Sequence, residues 1–162
     1  MVGQAEVPRP PGRTPETVLA EREELVSVRA AGWRMLVPLR HVERVLPAAM
    51  PSARPAGEAA APVVAVGGEL LPVVFACALA GGAEVELDAS QQMVLLAAHD
   101  RRAILWVDAV EEVVAHAPAR PPPGAPRGEL VAAWSGVDRP LAVLDVPRLL
   151  TLSMDTSSKG ER

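Results

Sequence analysis

The stretch PVVAVGGELLPVV, residues 62–74, places two apolar runs rich in valine on either side of the pair Gly67-Gly68. Glycine adopts positive φ without a steric penalty, so this pair suits the tight primed turns whose twist matches that of paired strands. Pro62 and Pro72 lack a backbone N–H, which limits the strand edges that can pair further. The stretch therefore predicts a β-hairpin.

Similar apolar runs on both sides of this hairpin predict further strands. Residues 108–115 are expected to form a bent strand or a short helix. A chain of strand pairs without a βαβ rhythm favours small antiparallel barrels. Three further strand pairs are predicted, at residues 25–29 with 33–37, 93–98 with 103–107, and 130–135 with 140–144.

The helices are predicted to be short. Pro38 suits a first helical turn, and Leu39, Val42, Val45 and Leu46 then recur at helical spacing, which predicts an amphipathic helix. A helical turn is expected within residues 75–80.

The two ends of the chain differ from its middle. Residues 1–23 are rich in proline and poor in large apolar groups, so we predict a disordered tail, with a weak tendency to a helical turn near its end. Asp145 is a candidate N-cap for a closing helix that runs to Leu152. Residues 153–162 are predicted to be a polar C-terminal tail, which leaves residues 24–152 as the folded domain.

Composition narrows the class of protein. The 162 residues are 49% hydrophobic and carry a formal net charge of −4, which argues against a general nucleic-acid binder. Cys77 is the only cysteine, so a disulfide within the chain is excluded. No apolar run reaches the roughly 18 residues of a membrane span, and a signal peptide is not recognised. We expect a cytoplasmic protein without membrane insertion.

Catalytic chemistry finds little support in the sequence. His41, His99 and His116 lack metal-ligand spacing and are interpreted as solvated surface histidines. Cys77 is interpreted as a buried small hydrophobe, and a Cys-based enzyme pairing it with His99 or His116 is the less favoured alternative. No nucleophile elbow or phosphate-binding loop is present. We therefore predict no catalytic, cofactor-binding or metal-binding residues.

Other charged and aromatic residues allow two interpretations. The acidic cluster Asp108, Glu111 and Glu112 is interpreted as a solvated face, and Arg101-Arg102 as a polar turn. Three tryptophans are possible interface anchors or core residues. For Trp106, inside an Ile-Leu-Trp-Val run, the core is preferred.

Four segments read together resemble the CheW-like chemotaxis adaptor family. They include the Leu-Pro-Val-Val of the hairpin and a V-D-x-V-x-x-V pattern at residues 107–113. The resemblance implies two intertwined, five-stranded barrels of SH3-like type with short helices, and no catalysis. It also implies an adaptor that bridges the cytoplasmic tip of chemoreceptors to a CheA-type histidine kinase in extended arrays. The four segments lie, in family order, at residues 25–45, 63–74, 103–113 and 138–150.

The resemblance also implies two binding surfaces. A groove that involves the first helix and the lobe junction would hold the receptor tip, and one lobe would contact the regulatory domain of the kinase. The alternative for Val42 and Val45 is that they belong to the core. The candidate receptor-binding residues are Val42, Glu43, Val45 and Leu46. The candidate kinase-facing hairpin residues are Val66, Gly67, Gly68 and Glu69.

The hairpin departs from the family pattern at polar positions. Pro62, Ala65 and Gly67 stand where the family commonly has glycine, asparagine and arginine, and Phe75 stands where it has aspartate. Glycine cannot replace the donors of a guanidinium. One hypothesis is therefore an adaptor with weakened kinase coupling, or a scaffold that binds receptors only. The other is an ordinary adaptor in which different residues replace the missing arginine.

Overall fold

The computed structural model of the chain describes residues 18–52, 62–79, 81, 87–125 and 128–159. In these described ranges, ten strands form two five-stranded sheets. The strands are β1 Glu24–Ala30, β2 Trp33–Pro38, β3 Val42–Pro47, β4 Val63–Val66, β5 Glu69–Phe75, β6 Gln92–Ala98, β7 Arg101–Val107, β8 Ala109–Ala115, β9 Val131–Ser135 and β10 Leu141–Leu144. The helices are a 3₁₀ turn Leu39–His41, α1 Ala76–Leu79 and α2 Val146–Lys159.

The two sheets are intertwined along the chain. Lobe 1 has the strand order β8-β1-β2-β10-β9, and lobe 2 has the order β3-β6-β7-β5-β4. The chain thus begins lobe 1, builds all of lobe 2, and returns to complete lobe 1. The predicted fold class, mainly β with two intertwined five-stranded lobes, is confirmed.

Short contacts between end strands curl each sheet toward a barrel. In lobe 2, Ser52 and Val63 exchange two backbone hydrogen bonds of 2.8 Å. In lobe 1, Pro118 bridges Ser135, and the Gly136 N–H donates to the carbonyl of Ala117 at 3.0 Å. Each sheet therefore encloses its own apolar interior.

Three apolar clusters explain why several strands are apolar on both faces. An interlobe core takes residues from β1, β6, β7, β10 and α2. A lobe 2 core contains Leu95, Ile104 and Trp106, and a smaller lobe 1 core contains Leu25 and Leu36. Along β7, Ile104 and Trp106 face the lobe 2 core while Leu105 and Val107 face the interlobe core. Strands covered on both faces read as continuous apolar runs.

The predicted amphipathic helix after Pro38 is wrong. Only residues 39–41 are helical, and the chain continues as strand β3. A β-bulge between Val42 and Arg44 inserts an extra residue, so Val42 and Val45 both pair with residues of the interlobe face of β6. The bulge changes the two-residue alternation of side chains on one face into a spacing of three, which is also typical of a helix.

The ends of the domain also differ from expectation. Residues 18–23 were assigned to the tail, yet Leu19 packs on the lobe 1 core and the Glu23 carboxylate pairs with Arg40 at 3.2 Å. The closing helix α2 continues to Lys159, past the predicted end at Leu152 and into the predicted polar tail. Residues 1–17 and 160–162 lie outside the described residues. No helix in the described part of the chain is long and apolar enough to cross a membrane.

Other predicted elements are confirmed. The Gly-Gly hairpin is β4–β5, with Val66 paired to Glu69 across the turn. The strand pairs predicted at residues 93–98 with 103–107 and 130–135 with 140–144 are the hairpins β6–β7 and β9–β10, and the predicted helical turn is α1. The segment 108–115, left between strand and helix, is strand β8.

Candidate protein-interaction site

The hairpin tip, residues 66–69, projects a glycine turn from the end of lobe 2. Gly67 and Gly68 have φ of +56° and +83°, as a type I′ turn requires. A Cβ built on Gly67 meets no atom within 4 Å, so the surroundings leave room for a side chain. Val66 is buried in the lobe 2 core, and Glu69 is exposed. The surface of the tip is therefore formed by the two glycines and Glu69.

The four candidate receptor-binding residues on β3 do not present one apolar face. Val42 is half-buried against the interlobe core, and Leu46 is half-buried against the lobe 2 core. Val45 is 41% exposed, and Glu43 lies at the surface on the bulge. The two alternatives for these valines thus separate: Val42 packs inward, while Val45 reaches solvent.

Arg102 connects the two candidate sites. Its Nε and Nη2 donate to Glu43 Oε2 and Oε1 at 3.1 and 3.0 Å, and its Nη1 donates to Glu69. We call these three residues the Arg102 cluster. The interpretation of Arg101-Arg102 as a polar turn is wrong for Arg102, because this side chain lies on β7 and joins β3 to the hairpin. The pairing was not predictable, because its members are distant in sequence.

Between the lobes lies a polar groove of about 780 Å³, which we call the junction groove. Asp108 accepts a hydrogen bond from the Ala31 backbone N–H at 2.9 Å and another from Gln91 at 3.0 Å. The Trp106 indole N–H donates to the same Gln91 side chain at 2.7 Å. This network fixes the β1–β2 turn of lobe 1 to the end of β7 in lobe 2.

The acidic cluster is not simply a solvated face. Asp108 is half-buried in the network of the junction groove, and Glu111 pairs with Arg34 at 3.0 Å. Glu112 is exposed, as expected. Asp108 and Glu111 therefore connect different parts of the chain, each with its own partners.

Two of the three histidines are buried, contrary to the prediction that all are solvated. His41 lies 3.3 Å from the Ala97 carbonyl through its Nδ1. His116 is 6% exposed, and its burial lowers the pKa of the imidazole, while the Glu23 carboxylate acts in the opposite direction. His99 lies in the β6–β7 turn with φ of +55°.

The structure does not bring Cys77 and the histidines together. Cys77 follows Phe75, which pairs with Trp106 at the far end of β7, whereas His99 precedes β7. A seven-residue strand separates them by about 20 Å at 3.3 Å per residue. His116 bonds to Glu23 before β1, whereas Cys77 lines the junction groove with residues at the end of β1. Neither histidine of the Cys-based alternative therefore lies near the thiol.

Cys77 itself is half-buried and packs against the interlobe core. The interpretation as a small hydrophobe fits these contacts. Within the described ranges, no three His, Cys, Asp or Glu side chains group as metal ligands do.

The tryptophans divide between the two interpretations. Trp106 is 4% exposed in the lobe 2 core, as predicted, and its ring centroid lies 5.9 Å from that of Phe75. That contact accounts physically for an aromatic ring at position 75. Trp33 is 63% exposed and, with Trp134, lines a mainly apolar cleft of about 590 Å³ on lobe 1. This cleft was not predicted from the sequence, although the tryptophans were interpreted as possible interface anchors.

A model of the CheW-like domain family matches residues 24–154. The fold is similar to the crystal structure of the scaffolding protein TtCheW from Thermoanaerobacter tengcongensis, with a TM-score of 0.63 and 18% sequence identity. That similarity covers 76% of this chain and 88% of the other. A search of curated proteins returned no match. Because the family model spans both lobes and most of the sequence, this chain belongs to the CheW-like domain family.

Proposed function

We propose that this protein is a non-catalytic adaptor that links the cytoplasmic tips of chemoreceptors to a CheA-type histidine kinase. The observation that carries the proposal is the family match over residues 24–154, which includes every strand of both lobes. An adaptor needs two separate surfaces, and two complete lobes provide them. The protein would act in the cytoplasm, at receptor arrays.

A non-catalytic role is supported by the placement of the reactive side chains. Cys77 lies far from His99 and His116, and catalysis by a thiol requires a base within hydrogen-bond reach or another source of thiolate. The His41 ring lies beside the Ala97 carbonyl, and the backbone of His116 bonds to Arg22 and Glu23. Binding, rather than chemistry, is the function that this arrangement favours.

For the receptor we propose the surface formed by the exposed part of β3 and the junction groove. Val45 would supply the apolar contact, and Glu43 would lie at its rim. Val42 and Leu46 both pack inward, so they would hold β3 in position rather than contact the receptor.

For the kinase we propose the hairpin tip, residues 66–69. Gly67 leaves the tip without the arginine that the family commonly has there, and this favours the second candidate function, a scaffold that binds receptors only. The Arg102 cluster favours the first, because it brings a guanidinium to Glu69 at the base of the same tip.

A two-partner binding experiment tests the proposal. The full chain is titrated with the cytoplasmic fragment of the cognate receptor and, separately, with the kinase's regulatory domain. Binding to both supports the adaptor, and binding to the receptor alone supports the scaffold. Kinase binding without receptor binding would refute both.

The receptor surface has a matched pair of variants. Val45→Glu should weaken receptor binding about tenfold, because a charge at the centre of an apolar contact is desolvated on binding. Val113→Glu is the control, since Val113 is 54% exposed on β8 of the other lobe. Equal losses for both variants would refute the assignment to β3.

A further inference from the structure

The position of Arg102 follows from the alternation of side chains along its strand. Arg102 is two residues before Ile104 on β7, and Glu69 is two residues before Leu71 on β5. Side chains two apart lie on the same face of a strand. Ile104 and Leu71 both face the lobe 2 core, so Arg102 and Glu69 form the next, polar layer at the end of that barrel.

The cluster joins strands that the sheet itself keeps apart. Glu43 lies on β3, one edge of the sheet, and Glu69 lies on β5, which pairs with the other edge, β4. The Arg102 side chain is 30% exposed, less than either carboxylate partner at 45% and 54%. One guanidinium therefore stands between two carboxylates across the barrel end, beside the Gly67-Gly68 turn.

We propose that Arg102 supplies from β7 the guanidinium that Gly67 cannot supply from the hairpin, and so positions the kinase-facing tip. This inference rests on the proposed function, since it assumes that the tip meets the kinase. A bidentate bond to Glu43 leaves the third nitrogen for Glu69. Only arginine offers three nitrogens in this fixed fork, so lysine should not replace it fully.

The role is one of positioning rather than of global stability. Exposed ion pairs contribute little to the stability of a fold, so removing Arg102 should leave the barrel folded. What is lost is the tie between β3 and the base of the tip. The expected effect is therefore on kinase binding and on local opening of the hairpin.

The test compares three variants with the wild type. Two are the single substitutions Arg102→Ala and Arg102→Lys, and the third is a double variant that combines Arg102→Ala with Gly67→Arg. We expect Arg102→Ala to weaken binding of the kinase regulatory domain about tenfold, as loss of a positioned interface residue does. Arg102→Lys should lie between the wild type and Arg102→Ala. The double variant should recover part of the lost affinity, because Gly67 has room for a side chain, although its φ of +56° strains any residue with a Cβ.

Arg139→Ala is the matched control, because it removes the same charge from an exposed turn of lobe 1. Its kinase affinity should equal that of the wild type. Unchanged binding by Arg102→Ala would overturn the inference, and so would a double variant that stays as weak as Arg102→Ala. Circular dichroism on each variant checks that it is folded.

Hydrogen exchange separates this inference from the proposed function. Arg102→Ala should speed exchange of the amides of Val66 and Glu69, and unchanged exchange would overturn the positioning role whatever the partner. If the wild-type chain binds neither receptor nor kinase, the proposed function fails and the kinase role of Arg102 fails with it. A wild type that binds the kinase beside an Arg102→Ala variant that binds equally well overturns the inference alone.

Discussion

At the scale of single residues, Gly136 in the β9–β10 turn is the most sterically restricted glycine in the described part of the chain. Its φ is +139°, and a Cβ there would lie 2.7 Å from the carbonyl oxygen of Arg139. We expect Gly136→Ala to lower the free energy of unfolding by about 2 kcal/mol or more, because strain and a backbone clash add. Urea denaturation measures this.

Gly124 provides the control for that substitution. Its φ is +77°, but a Cβ there meets no atom within 4 Å. Gly124→Ala should cost only the left-handed conformation, about 1 kcal/mol. Equal losses at Gly124 and Gly136 would contradict the steric argument.

His116 should make stability depend on pH. Burial lowers the pKa of this imidazole in the folded protein, so the unfolded chain binds the proton more readily. Stability is then full above the unfolded pKa of about 6.5 and declines as the pH falls through that value toward the lower folded pKa. His116→Gln should flatten this decline, as urea denaturation between about pH 7.5 and about pH 5 would measure. Parallel pH profiles for the variant and wild type would refute the prediction.

Residue patterns predicted the glycine turn but not the buried histidines. Gly67-Gly68 signals its own conformation, because positive φ is a local property. His116 is buried by contact of the segment before β1 with the end of β8, where Arg22 and Glu23 bond to its backbone. Nothing in the neighbouring sequence reports a contact between residues so far apart in the chain.

At the scale of elements, the start of α2 is stabilised by the residue just before it, Asp145. Asp145 is 5% exposed, and its Oδ1 accepts a hydrogen bond from the Arg148 backbone N–H at 3.1 Å. The predicted N-cap is thus confirmed. Asp145→Ala should lower the free energy of unfolding by about 1 kcal/mol, whereas Asp145→Asn, which keeps a capping oxygen, should lower it less.

Thermal denaturation of the two Asp145 variants checks the cap. Asp138→Ala serves as the control, because Asp138 is exposed in the β9–β10 turn. If all three variants melt together, Asp145 contributes nothing as a cap.

Elements were predicted well where the local pattern matched the structure, and poorly at β3. The hairpins β4–β5, β6–β7 and β9–β10 have turn residues between apolar runs, and each was predicted. On β3 the bulge places Val42 and Val45 on one face. A spacing of three is also the signature of a helix, so the periodicity alone selected the wrong element.

At the scale of the whole molecule, the interlobe core should make the two lobes unfold together. That core takes Val26 and Val28 from lobe 1 and Val94 and Leu105 from lobe 2. Lobe 1 is also completed only by β8–β10, after the chain has built lobe 2. We expect one cooperative transition, since neither lobe buries its apolar surface alone.

Variants that each retain a single tryptophan test this cooperativity. Trp106 reports on lobe 2 and Trp134 on lobe 1. In each variant, the fluorescence midpoint in urea should coincide with the midpoint from far-ultraviolet circular dichroism. Separated midpoints within one variant would show that the lobes unfold independently.

The whole fold was predictable because the order of four segments carries more information than any one of them. The interaction surfaces were predictable only in part. Gly67, in place of the family's arginine, indicated the hairpin as a candidate site. Arg102 gave no such signal, because it reaches Glu43 and Glu69 from a strand that is distant from both in sequence. Such a cluster exists only once the strands are in register.

The proposed function requires that this chain physically links a receptor to a kinase. The most direct measurement immobilises the receptor's cytoplasmic fragment and records how much kinase regulatory domain it retains with and without the full chain. Retention that requires the chain, and that rises with its concentration before falling at excess, is the predicted result. Equal retention with and without the chain would contradict the proposed linking function.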